Sequence, residues 1–266
     1  MANILDKNRP KIVAHRGSSL RHPENTLEAF EAAIADGADA VELDVRLTAD
    51  GVPVVLHDQD VSRTTDGVGL VHELTLAEVK RLDASRGVGQ RTEVPTLREA
   101  LSVLAGKAIV ILELKNLPGE ASFDSPREAV ASAAVEVVEA FGLADRVVLA
   151  SFNWLAIERV RDVAPEIETA FLSLAVIDPM AALRYAASQG HRYVLPQVQA
   201  VLASGEEVAR EAHRHDVLLG TWTVDDPEML RRVFDLGVDA VATNAPEAAV
   251  AVRDAFLSSG GRSGTT

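Results

Sequence analysis

Val217-Leu218-Leu219-Gly220-Thr221-Trp222 is a short apolar run, and Asp225-Asp226-Pro227 follows it almost at once. An acidic residue before a proline suits a helix start: proline fits the first turn, and a carboxylate oxygen can accept an otherwise unpaired amide. Residues 227–236 then read as a helix, 240–243 as a second apolar run, and Asn244-Ala245-Pro246 as the opening of a helix over 246–257. Short apolar runs without alternation are strands buried on both faces. Strand, helix and strand in that order form the right-handed crossover of a parallel sheet.

The same unit recurs toward the N-terminus. Apolar runs lie at 12–14, 40–45, 108–114, 147–151, 169–172 and 193–195, ahead of those at 217–222 and 240–243. Ala-rich helical patterns lie at 26–35, 96–105, 126–141, 153–163, 179–188 and 206–215. Eight strand–helix units with no interrupting domain predict a closed (β/α)8 barrel, the TIM-barrel architecture, over an open sheet. One stretch is too long: Val45 to Thr96 spans about fifty residues where a crossover needs about a dozen. Within it, Thr48 to Val55 reads as a hairpin turning at Asp50-Gly51, and 75–82 as a short helix. The chain is therefore expected to be one domain over 1–257, with a small insertion after the second strand at about 58–95. Residues 258–266, rich in Ser and Gly, read as a flexible tail.

Composition narrows the function classes. The 266 residues carry 26 Lys and Arg against 40 Asp and Glu, a net charge of −14. Nucleic acid is thus not expected as the partner, since phosphate backbones require an excess of cations; a small anionic ligand can still be held by a local patch. Cysteine is absent, which excludes disulfides, zinc–thiolate sites and cysteine nucleophiles. Residues 1–7 lack the basic-then-apolar pattern of a signal peptide, and no run approaches the roughly 20 residues of a membrane span. A cytoplasmic protein without stable membrane insertion is the expectation, with homo-oligomerisation left open.

In such a barrel the chemistry sits where strands end. His15-Arg16-Gly17 closes the first strand and offers a proton carrier, an anion clamp and a backbone open to close approach. Glu42-Leu43-Asp44 closes the second; alternation puts both carboxylates on one face. Two buried like charges need a cation, and Mg²⁺ or Ca²⁺ suits oxygen donors, although an ordinary solvated strand end accounts for the pair equally well. His57-Asp58 follows Val54-Val55-Leu56 and offers a second proton carrier or a plain loop histidine. Glu113-Leu114-Lys115 closes the third long run, again with both charged groups on one face, as ligand and phosphate contact or as an internal ion pair. Trp222 ends the seventh strand, to stack on an alcohol or to plug the barrel. His22 and His72 read as loop residues, His191, His213 and His215 as surface groups, and Asp225-Asp226 as a helix cap.

Together these residues resemble the signature of the glycerophosphodiester phosphodiesterase family. The likeness runs through His15-Arg16-Gly17, Pro23-Glu24-Asn25-Thr26, Val41-Glu42-Leu43-Asp44-Val45, Asp50-Gly51 and His57-Asp58. It continues through Arg63-Thr64-Thr65-Asp66-Gly67-Val68-Gly69, Pro95-Thr96-Leu97, Glu113-Leu114-Lys115, Ser151-Phe152 and Trp222-Thr223-Val224. The resemblance implies a TIM barrel, one divalent cation (Mg²⁺ or Ca²⁺) on Glu42, Asp44 and Glu113, and His15 and His57 as the acid–base pair. It also implies Arg16 and Lys115 on the phosphate, and small glycerophosphodiester substrates cleaved to glycerol 3-phosphate and an alcohol. Where many members carry Thr-Asp, this chain has Thr243-Asn244, and Asn244 is expected to cap the last helix. A lysophospholipase D-like activity would need an apolar mouth, which few aromatic residues suggest; a silent phosphate-binding barrel would have lost a histidine or a carboxylate.

Overall fold

Nine strands organise the described residues, 9–85, 87 and 89–261, of the computed structural model. They are β1 (Lys11–His15), β2 (Ala40–Leu47), β3 (Pro53–Val55), β4 (Ile109–Leu114), β5 (Val147–Ser151), β6 (Glu168–Ser173), β7 (Tyr193–Pro196), β8 (Leu218–Thr221) and β9 (Ala240–Thr243). Eight of them pair in parallel, and β1 meets both β2 and β9, so the sheet closes into the expected barrel. The ninth, β3, runs antiparallel to β2 through the anticipated hairpin, whose Gly51 takes a positive φ of 77°. Residues after β3 form the insertion that follows the second strand, with a small core of its own around Val61, Val71 and Val79.

The helices are α1 (Leu27–Ala35), α2 (Leu76–Val79), α3 (Leu97–Leu104), α4 (Ala129–Ala140), α5 (Trp154–Val163), α6 (Pro179–Gln189), α7 (Val198–Ser204), α8 (Glu206–Arg214), α9 (Pro227–Asp235) and α10 (Pro246–Ser258). Local signals explain most of their starts. Thr26, Thr96 and Asp226 each accept the amide of a first-turn residue, and Thr96 forms a reciprocal box with Glu99. Two expectations are corrected here. Asn244 does not cap α10, whose N-cap is Ala245 without a side-chain bond. Of the acidic pair, only Asp226 caps α9; Asp225 turns toward Thr243 and Asn244 instead. Of the expected tail, 262–266 lie outside the described residues, while Ser258 still belongs to α10.

Outward-facing strand residues such as Ile12, Val41, Leu43, Leu112 and Leu149 are fully buried against the helical layer. Each such burial contributes about 1.5–3 kcal/mol. The inward face is different. Ala40, Ala150, Ala170, Gly220 and Ala240 stand where a barrel of this type usually carries bulky branched residues. Small interior side chains leave a space of about 300 Å³ below the strand ends, lined by Ile111, Phe152, Leu172, Leu195 and Trp222.

Candidate active site

The turn after β1 sets the first groups. Arg16 and Gly17 both adopt positive φ, 58° and 82°. At Gly17 any side chain would meet backbone and Cβ atoms of Ala29 at 2.7 Å, so only glycine lets α1 pack against this turn. The turn points the Arg16 amide at Glu42 Oε2, 2.9 Å away. The Arg16 side chain reaches Glu24 at 2.9 Å and Asp44 at 3.3 Å. Asn25, also at positive φ (60°), donates its amide to Asp44 Oδ2 at 2.7 Å.

Pairing of β2 with β4 sets Asp44 beside Glu113 in register. With Glu42, these carboxylates place one oxygen each within 4.8 Å of one another, all three side chains buried. Lys115 lies against Asp44 at 2.9 Å and against Glu113. Three acids therefore face two cations. Glu42 Oε1 is buried without any hydrogen-bond partner, and Asp44 Oδ1 has only the ion pair with Lys115. Burial, reinforced by the neighbouring Asp44 and Glu113, raises the Glu42 carboxyl well above its ordinary range. Burial also raises Glu113, with Lys115 opposing and Asp44 adding to the rise. For Asp44 burial is overcome by Lys115 and Arg16, and its pKa is lowered. An oxygen-only trio with an orphaned buried acceptor and an excess of negative charge fits a hard divalent cation.

Two imidazoles line the same cavity. His15 Nδ1 lies 2.8 Å from Asn244 Oδ1. His57 Nδ1 lies 2.6 Å from Asp58 Oδ1, and Arg63 ties Asp58 to Glu24. The backbone oxygen of His57 accepts the Arg46 Nε–H at 2.8 Å, while the rest of that guanidinium grips Glu120 through two 2.8 Å bonds. Burial lowers both histidine pKa values, with Arg16 adding to the fall at His15 and Lys115 and Arg16 at His57. Opposite them, Trp222 donates to the Leu195 carbonyl at 2.8 Å and meets Phe152 edge-on at 5.4 Å between ring centres.

The structure thus gathers His15, Arg16, Glu42, Asp44, His57, Glu113, Lys115 and Trp222 at one end of the barrel. All of the charged groups come from β1, β2, β4 and the loops that follow β1, β3 and β4, and the apolar wall comes mainly from β5 to β8. Sequence reasoning assigned no role to Glu24, Asn25, Arg46 or Arg63, and gave Asn244 only that of a helix cap. The first, second and fourth lie in quoted motifs, so a signal existed, but nothing local says which group a loop side chain will meet. A larger space of about 680 Å³ lies between the hairpin and α4 and gathers no comparable set of acids and imidazoles.

The family model for the glycerophosphoryl diester phosphodiesterase family matches residues 15–248. The chain belongs to that family. A glycerophosphodiester phosphodiesterase of Caldanaerobacter subterraneus subsp. tengcongensis is 34% identical over 242 residues, covering 89% of this chain and 94% of its own. One from Bacillus altitudinis is 34% identical over 254 residues, covering 92% and 98%. Among solved structures, an Oleispira antarctica phosphodiesterase in complex with the product sn-glycerol-3-phosphate superposes with a TM-score of 0.83 at 30% identity, covering 92% of this chain and 97% of that one. This family is one of hydrolases, and the Glu42–Asp44–Glu113 cluster could hold a metal ion.

Proposed function

We propose that this chain hydrolyses glycerophosphodiesters to glycerol 3-phosphate and a free alcohol. The observation that carries the reading is the buried Glu42–Asp44–Glu113 trio, with its orphaned oxygen, opening on a cavity lined by two imidazoles whose Nδ1 atoms are both already held. A divalent cation on those carboxylates, Mg²⁺ or Ca²⁺, would neutralise their charge and polarise a phosphoryl oxygen. Arg16 and Lys115 orient the phosphodiester and offset charge on its oxygens. His15 takes the proton of the attacking hydroxyl, either water or the glycerol 2-OH. The new O–P bond forms as the bond to the departing alcohol breaks, and His57 gives that alcohol oxygen its proton. The Trp222 ring packs on the alcohol or glycerol portion. If the glycerol hydroxyl attacks, a cyclic phosphate forms first and water opens it by the reverse use of the same two groups.

A coupled assay for glycerol 3-phosphate, across choline, ethanolamine, glycerol and inositol esters with and without each cation, tests this reading. His57→Ala should lose about 10²–10⁴-fold on choline or ethanolamine esters and far less on an activated nitrophenyl ester, whose leaving group needs no proton. Equal losses on both would remove His57 from the acid role. Full turnover after exhaustive chelation would remove the cation.

The apolar cavity favours a second reading, lysophospholipids as substrates. Leu174, which lines that cavity, is exposed, as are Val176 and Ile177 on the same loop after β6 and Trp154 at the start of α5. A choline-coupled assay tests it, because this cleavage leaves lysophosphatidic acid in place of glycerol 3-phosphate: faster choline release from lysophosphatidylcholine than from its deacylated counterpart would favour this reading. Among the described residues no helix is long and apolar enough to cross a membrane.

A further inference from the structure

We infer that Asp225, acting through Asn244, fixes the tautomer of His15 with the ring proton on Nδ1, leaving Nε2 as the lone pair that faces the cavity. This deepens the reading of His15 as a proton acceptor and rests on it for its catalytic meaning, but the tautomer itself is a property of the resting protein.

The assignment follows from donor and acceptor counts. Asn244 Nδ2 lies 2.7 Å from Asp225 Oδ2. A carboxylate only accepts, so the atom facing Asp225 has to be the NH₂ of the amide. The amide oxygen is then the atom that lies 2.8 Å from His15 Nδ1. An amide oxygen also only accepts, so Nδ1 has to carry the proton. In a neutral imidazole the other nitrogen is then bare.

Every other polar group of Asn244 is committed, which holds the amide in place. Its backbone N–H donates to Asp225 Oδ1 at 2.7 Å, and its carbonyl accepts from the Leu20 amide at 2.9 Å. Ser19 Oγ lies 3.0 Å from Asn244 Oδ1 and 2.7 Å from the His15 carbonyl, packing the amide against the turn. Asp225 is held in turn by the Thr243 hydroxyl at 2.8 Å. Because Asn244 is neutral, it orients His15 without the charge that Asp58 presents to His57. The two rings are thus supported by chemically different partners, one amide and one carboxylate. Asp225 is exposed and bonds to Thr243 and Asn244. Asp225 and Asn244 are positioning residues.

Asp225→Asn provides a test in which the relay should invert. Its oxygen would stay with the Thr243 hydroxyl and the Asn244 backbone N–H, which are both donors. Its NH₂ would then face the Asn244 side chain, which has to turn its own oxygen toward it and its NH₂ toward His15. Nδ1 becomes the acceptor and the proton moves to Nε2. Long-range ¹H–¹⁵N spectra of histidine-labelled protein report the tautomer directly. They are taken at about pH 8, where a ring of ordinary pKa near 6.5 is neutral, with and without Mg²⁺, and His15→Gln identifies the signal. The expected result is Nδ1–H in the wild type, Nε2–H in Asp225→Asn, and loss of the Nδ1–H preference in Asn244→Ala. With substrate, kcat of Asp225→Asn should fall about 10²–10⁴-fold, the contribution of a positioned proton acceptor whose lone pair is lost, with KM little changed. A wild-type spectrum showing Nε2–H, or one unchanged in Asp225→Asn, overturns the inference. The wild-type spectrum decides even if a variant fails to fold, and inactivity toward glycerophosphodiesters would count against the proposed function alone.

Discussion

Gly17 shows how much of the site depends on one backbone turn. Its positive φ and the 2.7 Å approach of Ala29 leave no room for a Cβ. The turn also aims the Arg16 amide at Glu42. Gly17→Ala should therefore cost about 1–3 kcal/mol from backbone conformation alone, with more from the clash, and should weaken cation binding as Glu42 loses its donor. Chemical denaturation and a metal titration would show both effects; a fully stable variant would mean that α1 can move away. Residues at this scale were legible where periodicity fixes direction. Strand alternation put Glu42 with Asp44, and Glu113 with Lys115, on common faces, and the barrel keeps them there. The partners of the site groups were not legible, because Glu24 on Arg16, Asn25 on Asp44 and Asn244 on His15 lie in turns, where no repeat says where a side chain points. Asn25 at least belongs to a residue type tolerant of positive φ.

Elements were read well where a run of apolar residues had a clear cap and poorly where burial alone decides. All eight parallel strands fall where the apolar runs predict, within a few residues at their ends. α7 was missed because Val198–Ser204 has neither a capping side chain nor an amphipathic stripe long enough to register. α4 begins later than expected, at Ala129, because Glu128 takes a left-handed conformation (φ 49°) that interrupts the helical run. His191 was read as a surface group, yet it is 2% exposed, between α6 and β7, with Nδ1 2.8 Å from the Thr169 hydroxyl. Burial, with Arg161 adding to the effect, pushes its pKa down to about 4. A base whose folded pKa is depressed favours the fold when neutral, so its contribution is complete above the ordinary value of about 6.5 and is lost as pH falls toward 4. Melting temperature should accordingly drop between pH 7 and pH 5, and His191→Gln should shrink that drop. An unchanged pH dependence in the variant would assign acid sensitivity to other groups.

At the level of the whole molecule, a closed barrel brings together acids separated by many residues in sequence, at a cost that the cations only partly offset. Glu42, Asp44 and Glu113 face only Arg16 and Lys115, and burial beside the other two acids raises the Glu42 carboxyl, so ionising all three at the mouth is costly without a further cation. A cation that binds only the folded state should stabilise it by about 2.7 kcal/mol at a hundred times its dissociation constant. Calorimetry with Mg²⁺, with Ca²⁺ and with chelator should show that increment. Glu42→Gln should abolish most of it while raising the melting temperature of the metal-free protein, because a buried ionisable carboxyl crowded by Asp44 and Glu113 is gone. A shift of equal size in Glu42→Gln would place the cation elsewhere.

The distribution of labour around the barrel has an evolutionary consequence. In the proposed mechanism the proton-transfer and charged groups come from β1, β2 and β4 and the loops after β1, β3 and β4, whereas β5 to β8 supply an uncharged wall of Phe152, Leu172, Leu195 and Trp222. Substitutions that reshape the wall to suit a different alcohol need not disturb the groups that break the ester. A lineage built on this scaffold can diversify its diet on one side while inheriting its reactivity intact on the other.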